Sequence, residues 1–598
     1  MAATHQRSAS PALCEQSPKR AKTGHNGAVS SSDSDSTSYF ASGLLAPNTI
    51  HRLNNEYANS EPYKYCKVDK LFEDELLVAV KDEILAELSF TEKETDIYKV
   101  NQTGDLASLN YLSKDQISLL PNLLKLRDAL YSPQFRAFVR AVTSCGALSG
   151  SKQDMSVNTY TKGCHLLNHD DVIGSRRVSY ILYMPLPHYQ GWQPEWGGAL
   201  ELYPTRTGSD GLPEPECVPS KCIPPTWDQF IFFEVQPGKS FHSVEEVVVG
   251  EAEDGRQRLS ISGWFHAAQP GEEGYDPNEK WGEHKSSREQ LASTSTIFHT
   301  YPSPAAPPMP SDPLSPDHIS FLSEFLNPVY LQPRTMHSLA SRFAEDARRA
   351  SRRTPPAGRR EAVLPRSAQS SPDGIVRGLQ DELFPSAAFR AWLTTVAGVL
   401  PLSWAAEARR FRPGLDYTLA TSEESEARLD VVLGLTPEVP IEVEEDEDEG
   451  RKRKRKAEKI QVNGWQSGEW GGWECYMAPH EEEDDPAVYR SGSKKSRAAD
   501  KPEKSASGDA HSSPNGKANG KANGAAKAEI SDHSDESEDE EDDGTLLTVQ
   551  PGFNRLLLVL RDEKVMRFVK YVSAAAEGSR WDVCGEYEVG MLEEDDEE

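Results

Sequence analysis

MSVNTYTKGCHLLNHDDV, residues 155–172, is the stretch on which the reading of this 598-residue chain turns. It ends in His169-Asp170-Asp171. In an extended segment side chains alternate faces, so His169 and Asp171 are expected on one side and Asp170 on the other. An imidazole and a carboxylate presented together supply two of the three positions of a 2-His-1-carboxylate facial triad, which leaves open coordination positions on a non-haem Fe(II). The candidate for the second imidazole is His242, inside QFIFFEVQPGKSFHSVEEVVV (229–249), whose β-branched and aromatic density predicts two successive strands.

Arg258 opens another strand-like segment, RLSISGWFH (258–266), after the turn signal Glu253-Asp254-Gly255. This predicts a hairpin that lays Arg258 antiparallel to the His242 strand, with one cation near the metal. A guanidinium fork matches a carboxylate through two hydrogen bonds where a lysine offers a point charge. Arg256 is the competing cation on the same strand face, nearer the turn. Taken singly, each residue has a plainer reading: a packed core histidine, a surface arginine, core tyrosines at 160 and 183. His165 and His169 also form an H-x-x-x-H pair. Gly163 and Asn168 break the helical pattern, and the catalytic glutamate of a zinc H-E-x-x-H site is missing, so zinc hydrolysis is disfavoured.

The order His-x-Asp, distant His, then Arg two residues before Ser260 resembles the 2-oxoglutarate-dependent oxygenases, which carry these groups on a double-stranded β-helix. YTKGCHLLNHDDVIGSRRVSYILYMP (160–185), EWGGALELYP (195–204) and RLSISGWFH are similar to one subfamily. This is the ribosomal prolyl 3,4-dihydroxylases, known in fungi as the termination-and-polyadenylation or Ofd type. The resemblance covers residues 48–269 well and the rest loosely. It implies Fe(II) on His169, Asp171 and His242, 2-oxoglutarate held by Arg258 with Tyr160, Tyr183 and Ser260, O2 as second cosubstrate and L-ascorbate as a helper. It also implies hydroxylation of a proline in a small-subunit ribosomal protein, with effects on translation termination accuracy and on oxygen sensing. The rival readings are an oxygenase for another protein side chain or a small molecule, and a scaffold whose acidic inserts and inert second domain bind partners.

The net charge of −30 is concentrated in EVEEDEDE (442–449), HEEEDD (480–485), SDESEDEEDD (534–543) and EEDDEE (593–598), which read as solvated, disordered runs. No run reaches the ~20 apolar residues of a bilayer span, and no direct nucleic-acid site is evident. Eight cysteines without C-x-x-C spacing predict reduced thiols. Basic clusters at Ser17–Lys22 and Arg451–Lys456 suggest nuclear as well as cytoplasmic residence.

Between Lys67 and Val142 the pattern reads as helical, with Leu71, Leu76, Val78, Ile84 and Leu88 near one stripe. Strands follow around Val157 and at SYILYM, GALELYP, QFIFFEV, SVEEVVV and RLSISGWF. The second half then echoes the first: GWQPEWGGALELYP (191–204) by GWQSGEWGGWECYMAP (464–479), SPQFRAFVRAVTS (132–144) by PSAAFRAWLTTVAG (385–398), and RLSISGWF by RWDVCGEY (580–587). Aligned on glycine, FRPGLDYTLATS (411–422) places Ala420 at the position of His169 and Ser422 at that of Asp171, and Val569 stands opposite His242. The expected architecture is mainly β with flanking helices, in tandem double-stranded β-helix (jelly-roll) domains of which the second is degenerate. The expected boundaries are a disordered tail 1–45, a catalytic domain 46–270, a linker 271–316, and a non-catalytic domain 317–598. That last domain carries disordered inserts at about 440–458 and 480–545 and an acidic tail, and it is a candidate surface for regulatory protein partners.

Overall fold

The computed structural model describes residues 36–107, 112–208, 211, 213–250, 254–277, 296–302, 308–350, 372–420, 427–444, 459–478, 488–489, 545–562 and 564–590. Both basic clusters, the runs at 480–485, 534–543 and 593–598, and Ser422 lie outside the described residues.

In the first unit, helices α1 (Pro47–Asn59), α2 (Asp74–Glu87), α3 (Lys114–Ser118), α4 (Pro121–Leu130) and α5 (Pro133–Thr143) accompany thirteen strands. These are β1 (Tyr65–Val68), β2 (Thr91–Thr95), β3 (Tyr98–Gln102), β4 (Leu148–Tyr160), β5 (His165–His169), β6 (Arg176–Tyr183), β7 (Leu200–Leu202), β8 (Thr205–Thr207), β9 (Pro213–Pro215), β10 (Lys221–Ile223), β11 (Phe230–Glu234), β12 (His242–Val244) and β13 (Arg258–Ala267). The curled antiparallel sheet runs β1-β11-β6-β13-β4-β3-β5-β12-β7-β10. Its period-two sequences sort side chains onto two faces. Leu259, Ile261, Phe265, Phe230 and Phe232 pack with the helices, including Phe135 and Phe138 of α5. Ile231, Phe233, Tyr183, Leu200 and Leu202 line the inside of the curl.

The expected helical span 67–142 needs correcting. Residues 91–102 form a hairpin of two strands rather than helix, and β3 bridges β4 to β5 through Asn101 opposite Thr159 and Tyr98 opposite Leu166. The wholly polar sequence of β2, Thr-Glu-Lys-Glu-Thr, conceals its β character although Glu94 and Thr95 are buried. In α2 the buried stripe is Leu76, Leu77, Val80 and Ile84, with Val78 only half-buried. The first core begins at Phe40 and Leu44, so the folded unit starts before residue 46. The predicted strand SVEEVVV is three residues long, because the backbone beyond it is drawn off to loops: Val247 N–H donates to Cys164 O and Val248 N–H to Trp196 O.

The second unit is built to the same plan. Strand β14 (His299–Thr300) arises within the expected linker and pairs with β15 (Leu400–Phe411). Helices α6 (Pro316–Leu322), α7 (Pro333–Ala350), α8 (Pro372–Arg377) and α9 (Ala387–Ala397) accompany β16 (Arg428–Leu435), β17 (Pro440–Glu444), β18 (Lys459–Asn463), β19 (Glu474–Met477), β20 (Thr545–Val549), β21 (Phe553–Arg561), β22 (Met566–Val569) and β23 (Arg580–Gly590). One sheet runs β14-β15-β23-β16-β21 and another β20-β19-β22. The acidic run at 442–449 begins inside β17, which pairs with β18, so this edge of the expected insert is strand.

The repeated motifs adopt repeated structures. Ser132 caps α5 and Ser386 caps α9, each accepting from the backbone N–H three residues on. Both helices end on a left-handed residue, Ser144 and Gly398. Trp192 and Trp196 meet edge to face at 5.3 Å, as do Trp465 and Trp470 at 5.3 Å.

Asp228, at the start of β11, ties the sheet to the helices by accepting from the Leu71 and Phe72 N–H groups. Burial pushes its carboxyl up to about 7. A carboxyl whose folded pKa is raised binds its proton more tightly in the folded chain, so stability from this group falls as pH rises from about 4 to about 7. Asp228→Asn, which keeps an acceptor and tolerates the left-handed φ of 61°, should raise the melting temperature at pH 8 more than at pH 4. Melting curves at the two pH values check it, and an equal change at both would refute the charge argument.

Candidate metal and cosubstrate site

His169 closes β5 and His242 opens β12, and the two lie directly opposite each other in the antiparallel pair. The Nδ1 of His169 bonds Leu167 O at 2.8 Å, and the Nδ1 of His242 bonds Ser240 O at 2.8 Å. A carbonyl partner makes each Nδ1 the protonated nitrogen and leaves the Nε2 lone pair free to act as a ligand. Both Nε2 atoms converge on the Asp171 carboxylate, at 3.3 Å from Oδ1 and 3.4 Å from Oδ2. Among the described residues this is the one group of three or more His, Cys, Asp or Glu side chains whose ligand atoms gather at a common point, all within 4.8 Å.

The residues are those expected, but the geometric reason differs. The strand ends at His169, and Asp171 reaches the cluster by turning back at φ 61°, in the left-handed region that Asp tolerates better than most residues. Asp170 is buried and faces away, accepting from Val172 and Gly238 N–H, while its carbonyl accepts from Ser240. Burial works against charge on Asp171. The His242 and His169 imidazoles outweigh it and hold the carboxyl well below the usual carboxylate range. Burial likewise lowers the His169 pKa, and Asp171 reverses this to a net rise. His165, on the same strand, takes no part. Its ring lies 4.5 Å from Tyr571 of the second unit, and burial pushes its pKa down to about 3.

The expected hairpin between the Arg258 and His242 strands does not form. β13 pairs with β4 and β6, while β12 pairs with β5 and β7. Arg258 instead lies opposite Tyr160 on β4, and Ser260 opposite Tyr183 on β6. Arg258 is 1 % exposed. Its Nε donates to Gly198 O at 2.6 Å and its Nη2 to the Tyr183 hydroxyl at 3.4 Å, with the Tyr160 and Tyr183 rings 4.7 and 4.9 Å from the guanidinium carbon. Among the described residues no carboxylate pairs with it. A buried charge without a counter-charge costs several kcal/mol, and an anion received by this fork would offset that cost. Arg256 is spent elsewhere, paired with Asp254 and stacked over Trp196.

Two residues escaped the sequence reading. Tyr63 is 7 % exposed, and its hydroxyl has no hydrogen-bond partner among the described residues. It packs edge-on against Phe233, which in turn packs against His242. Burial, with Asp171 and Tyr183 nearby, raises its pKa well above the ordinary value. Trp264 lies on the Arg258 face of β13 and donates to Asp171. Counting by two along RLSISGWFH from Arg258 would have found it; nothing local marks Tyr63.

The 2OG-Fe(II) oxygenase superfamily matches residues 155–266, and the oxoglutarate and iron-dependent oxygenase degradation C-terminal family matches residues 352–596. The prolyl 3,4-dihydroxylase OGFOD1 of Ostreococcus tauri is 31% identical over 588 residues, spanning 90% of this chain and 97% of that protein. The chain belongs to the OGFOD1 prolyl hydroxylase family. The prolyl 3-hydroxylase OGFOD1 of Mus musculus is 30% identical over 48% of this chain and 42% of its own. A solved prolyl-4-hydroxylase from Pseudomonas putida is 20% identical, covering 36% of this chain and 98% of its own with a TM-score of 0.24. The donor set fits the iron and 2-oxoglutarate of this family: two imidazoles whose Nδ1 atoms are taken by carbonyls, one ionised carboxylate and a buried guanidinium with no carboxylate partner among the described residues.

The second unit of this prolyl hydroxylase relative departs at each of these positions. Ala420 is buried among Trp473, Cys475, Met477 and Phe568. In the strand pairing Arg567 lies opposite Tyr476 as His242 lies opposite Leu202, so the counterpart of His242 is Arg567 rather than Val569. A guanidinium offers no lone pair to a metal. Arg580 repeats Arg258, donating to Gly472 O as Arg258 does to Gly198 O, but here Glu474 and Asp582 neutralise it at 3.3 and 2.7 Å. The carboxylate of Glu474 stands in register where Leu200 lines the first unit.

Asp171→Ala should abolish metal uptake, while Asp170→Ala keeps it at a stability cost of about 1–3 kcal/mol for the backbone N–H groups left unpaired. Metal content of the purified variants decides between the two aspartates. Arg258→Ala, and Arg258→Lys with its single point charge, should retain the metal but bind 2-oxoglutarate at least tenfold more weakly, and Arg256→Ala should bind it normally. Cosubstrate titration in the presence of metal is the measurement; a loss confined to Arg256→Ala would reverse the assignment.

Proposed function

We propose that this chain is an Fe(II)- and 2-oxoglutarate-dependent prolyl hydroxylase whose substrate is a proline of a small-subunit ribosomal protein. The reading is carried by the convergence of His169, Asp171 and His242 in the same curl as a buried guanidinium that lacks a carboxylate partner among the described residues. His169, Asp171 and His242 hold the iron. Arg258, backed by Tyr160, Tyr183 and Ser260, takes the distal carboxylate of 2-oxoglutarate. When bound, iron and cosubstrate supply O2 activation coupled to oxidation of 2-oxoglutarate to succinate and CO2, with ascorbate restoring Fe(II). The protein orients the ligands, buries the guanidinium fork away from water and keeps both imidazoles in the metal-binding tautomer.

Support for the substrate comes from the relatives' names as prolyl hydroxylases and from charge. Ribosomal proteins are basic, and a chain of net charge −30 attracts them through long-range, salt-screened fields. The basic clusters support access to the target in the nucleus as well as the cytoplasm, before ribosome assembly buries the proline. On this reading modification tunes translation termination, and the second unit offers its surface to regulatory proteins. Among the described residues no helix is long and apolar enough to cross a membrane.

Small-subunit ribosomal protein from cells lacking this chain should be lighter by one or two oxygen atoms at a single proline. Incubating it with purified enzyme, Fe(II) and 2-oxoglutarate should restore that mass. An unchanged mass, together with turnover on a different protein, would reject the ribosomal substrate and leave the iron site standing.

A further inference from the structure

Asp171 is the least secured of the three candidate ligands by its own backbone: it follows the strand end and sits at φ 61°. Its orientation comes from outside. The Trp264 indole Nε1 donates to Asp171 Oδ2 at 3.1 Å. Trp264 belongs to β13, where it lies opposite Asp154 on β4 and Ser179 on β6, so its backbone is fixed by pairing on both sides. Its ring is fixed as well. The Arg176 guanidinium carbon lies 3.5 Å from the ring centroid, and Arg176 is held in turn by Asp154 at 3.7 Å. Asp154 also pairs with His266, the next residue on that face of β13, at 3.0 Å. A planar donor clamped between two strands therefore reaches across the curl to one oxygen of the ligating carboxylate.

We propose that Trp264 is a positioning residue for the metal. Its N–H occupies a lone pair of Asp171, fixes the plane of the carboxylate and sets which lone pairs remain for the ion, while the Arg176 stack holds the indole at the required angle. Partners that orient a metal ligand are worth about 10–100-fold in metal affinity. The inference rests on the metal reading of Asp171 and says nothing about the protein substrate.

The test uses the full chain with Co(II) as a spectroscopic probe under saturating 2-oxoglutarate. Trp264→Phe keeps a ring for Arg176 to stack on and removes only the donor. It should bind Co(II) about 10–100-fold more weakly and alter the visible absorption of the bound ion, while the metal-free protein melts as wild type does. Trp264→His, which keeps a ring N–H, should recover part of the affinity. Wild-type binding and spectrum in Trp264→Phe would overturn the proposal, and failure of the wild-type chain to take up Co(II) would overturn the metal reading with it. A second measurement is independent of any tryptophan variant. Among the indole N–H resonances of the chain's 11 tryptophans, Asp171→Ala should shift one strongly. A spectrum with no such shift would also overturn the proposal.

Discussion

An arginine closed off from water, with no carboxylate beside it among the described residues, is the constraint from which the rest of the first unit follows. Arg258 is tolerable only because its strand neighbours share the cost: a backbone oxygen from Gly198, a phenol from Tyr183 and two aromatic faces. Those partners come from β4, β6 and the approach to β7, so the curl must close for the charge to be buried at all. The same closure brings β5 against β12 and sets two imidazoles around Asp171. The unit is preorganised at its own expense, and a bound dicarboxylate and cation would relieve the cost.

The second unit shows what happens when the protein supplies the counter-charges itself. Arg580 keeps the position and carbonyl partner of Arg258, but Glu474 and Asp582 complete it, while Arg567 replaces an imidazole and is neutralised by Glu474 and Glu586. Arg561 pairs with Asp430 inside the same sheet. Removing one partner from a buried network of this kind leaves an uncompensated charge, which costs about 3–5 kcal/mol. The arginine that has no carboxylate partner among the described residues of the first unit is thus internally satisfied in the second, and two substitutions in register, Leu200 against Glu474 and Ser260 against Asp582, supply its counter-charges.

The chemistry of the site was legible because its residue types are few and their order is distinctive. His169, Asp171, His242 and Arg258 could be picked out, and the repeat was visible in its Gly-Trp and Phe-Arg-Ala motifs. Placement was less legible. The Asp-Gly turn suggested that Arg258 pairs with the His242 strand, yet strand neighbours are chosen by long-range closure, and β13 lies between β4 and β6. Asp171 was chosen by a period of two that does not operate past the strand end. The hairpin at 91–102 was hidden because β2 is polar throughout, its buried Glu94 and Thr95 included, and Arg567 was missed because the matching motif, read without register, pointed two residues too far.

These corrections share a physical origin, which also explains why the two units are joined. β5 has five residues and β12 three, too few to hold two imidazoles in register unaided. Their bracing comes from tertiary contacts. Asp170 ties the end of β5 to Gly238 and Ser240, and Val247 binds the Gly163 turn. From the second unit, Ser573 and the Ala574 N–H clasp the Glu246 carboxylate beyond β12, Lys570 pairs with Glu94 and the Thr95 carbonyl, and Tyr571 closes over His165. The Ser573 and Lys570 contacts are buried, so the polar groups on each side need the other side to be satisfied. The degenerate unit therefore braces a side chain four residues from each candidate histidine ligand, Glu246 beyond His242 and His165 before His169. The geometry of the site is a property of the whole chain rather than of the stretch that first announced it.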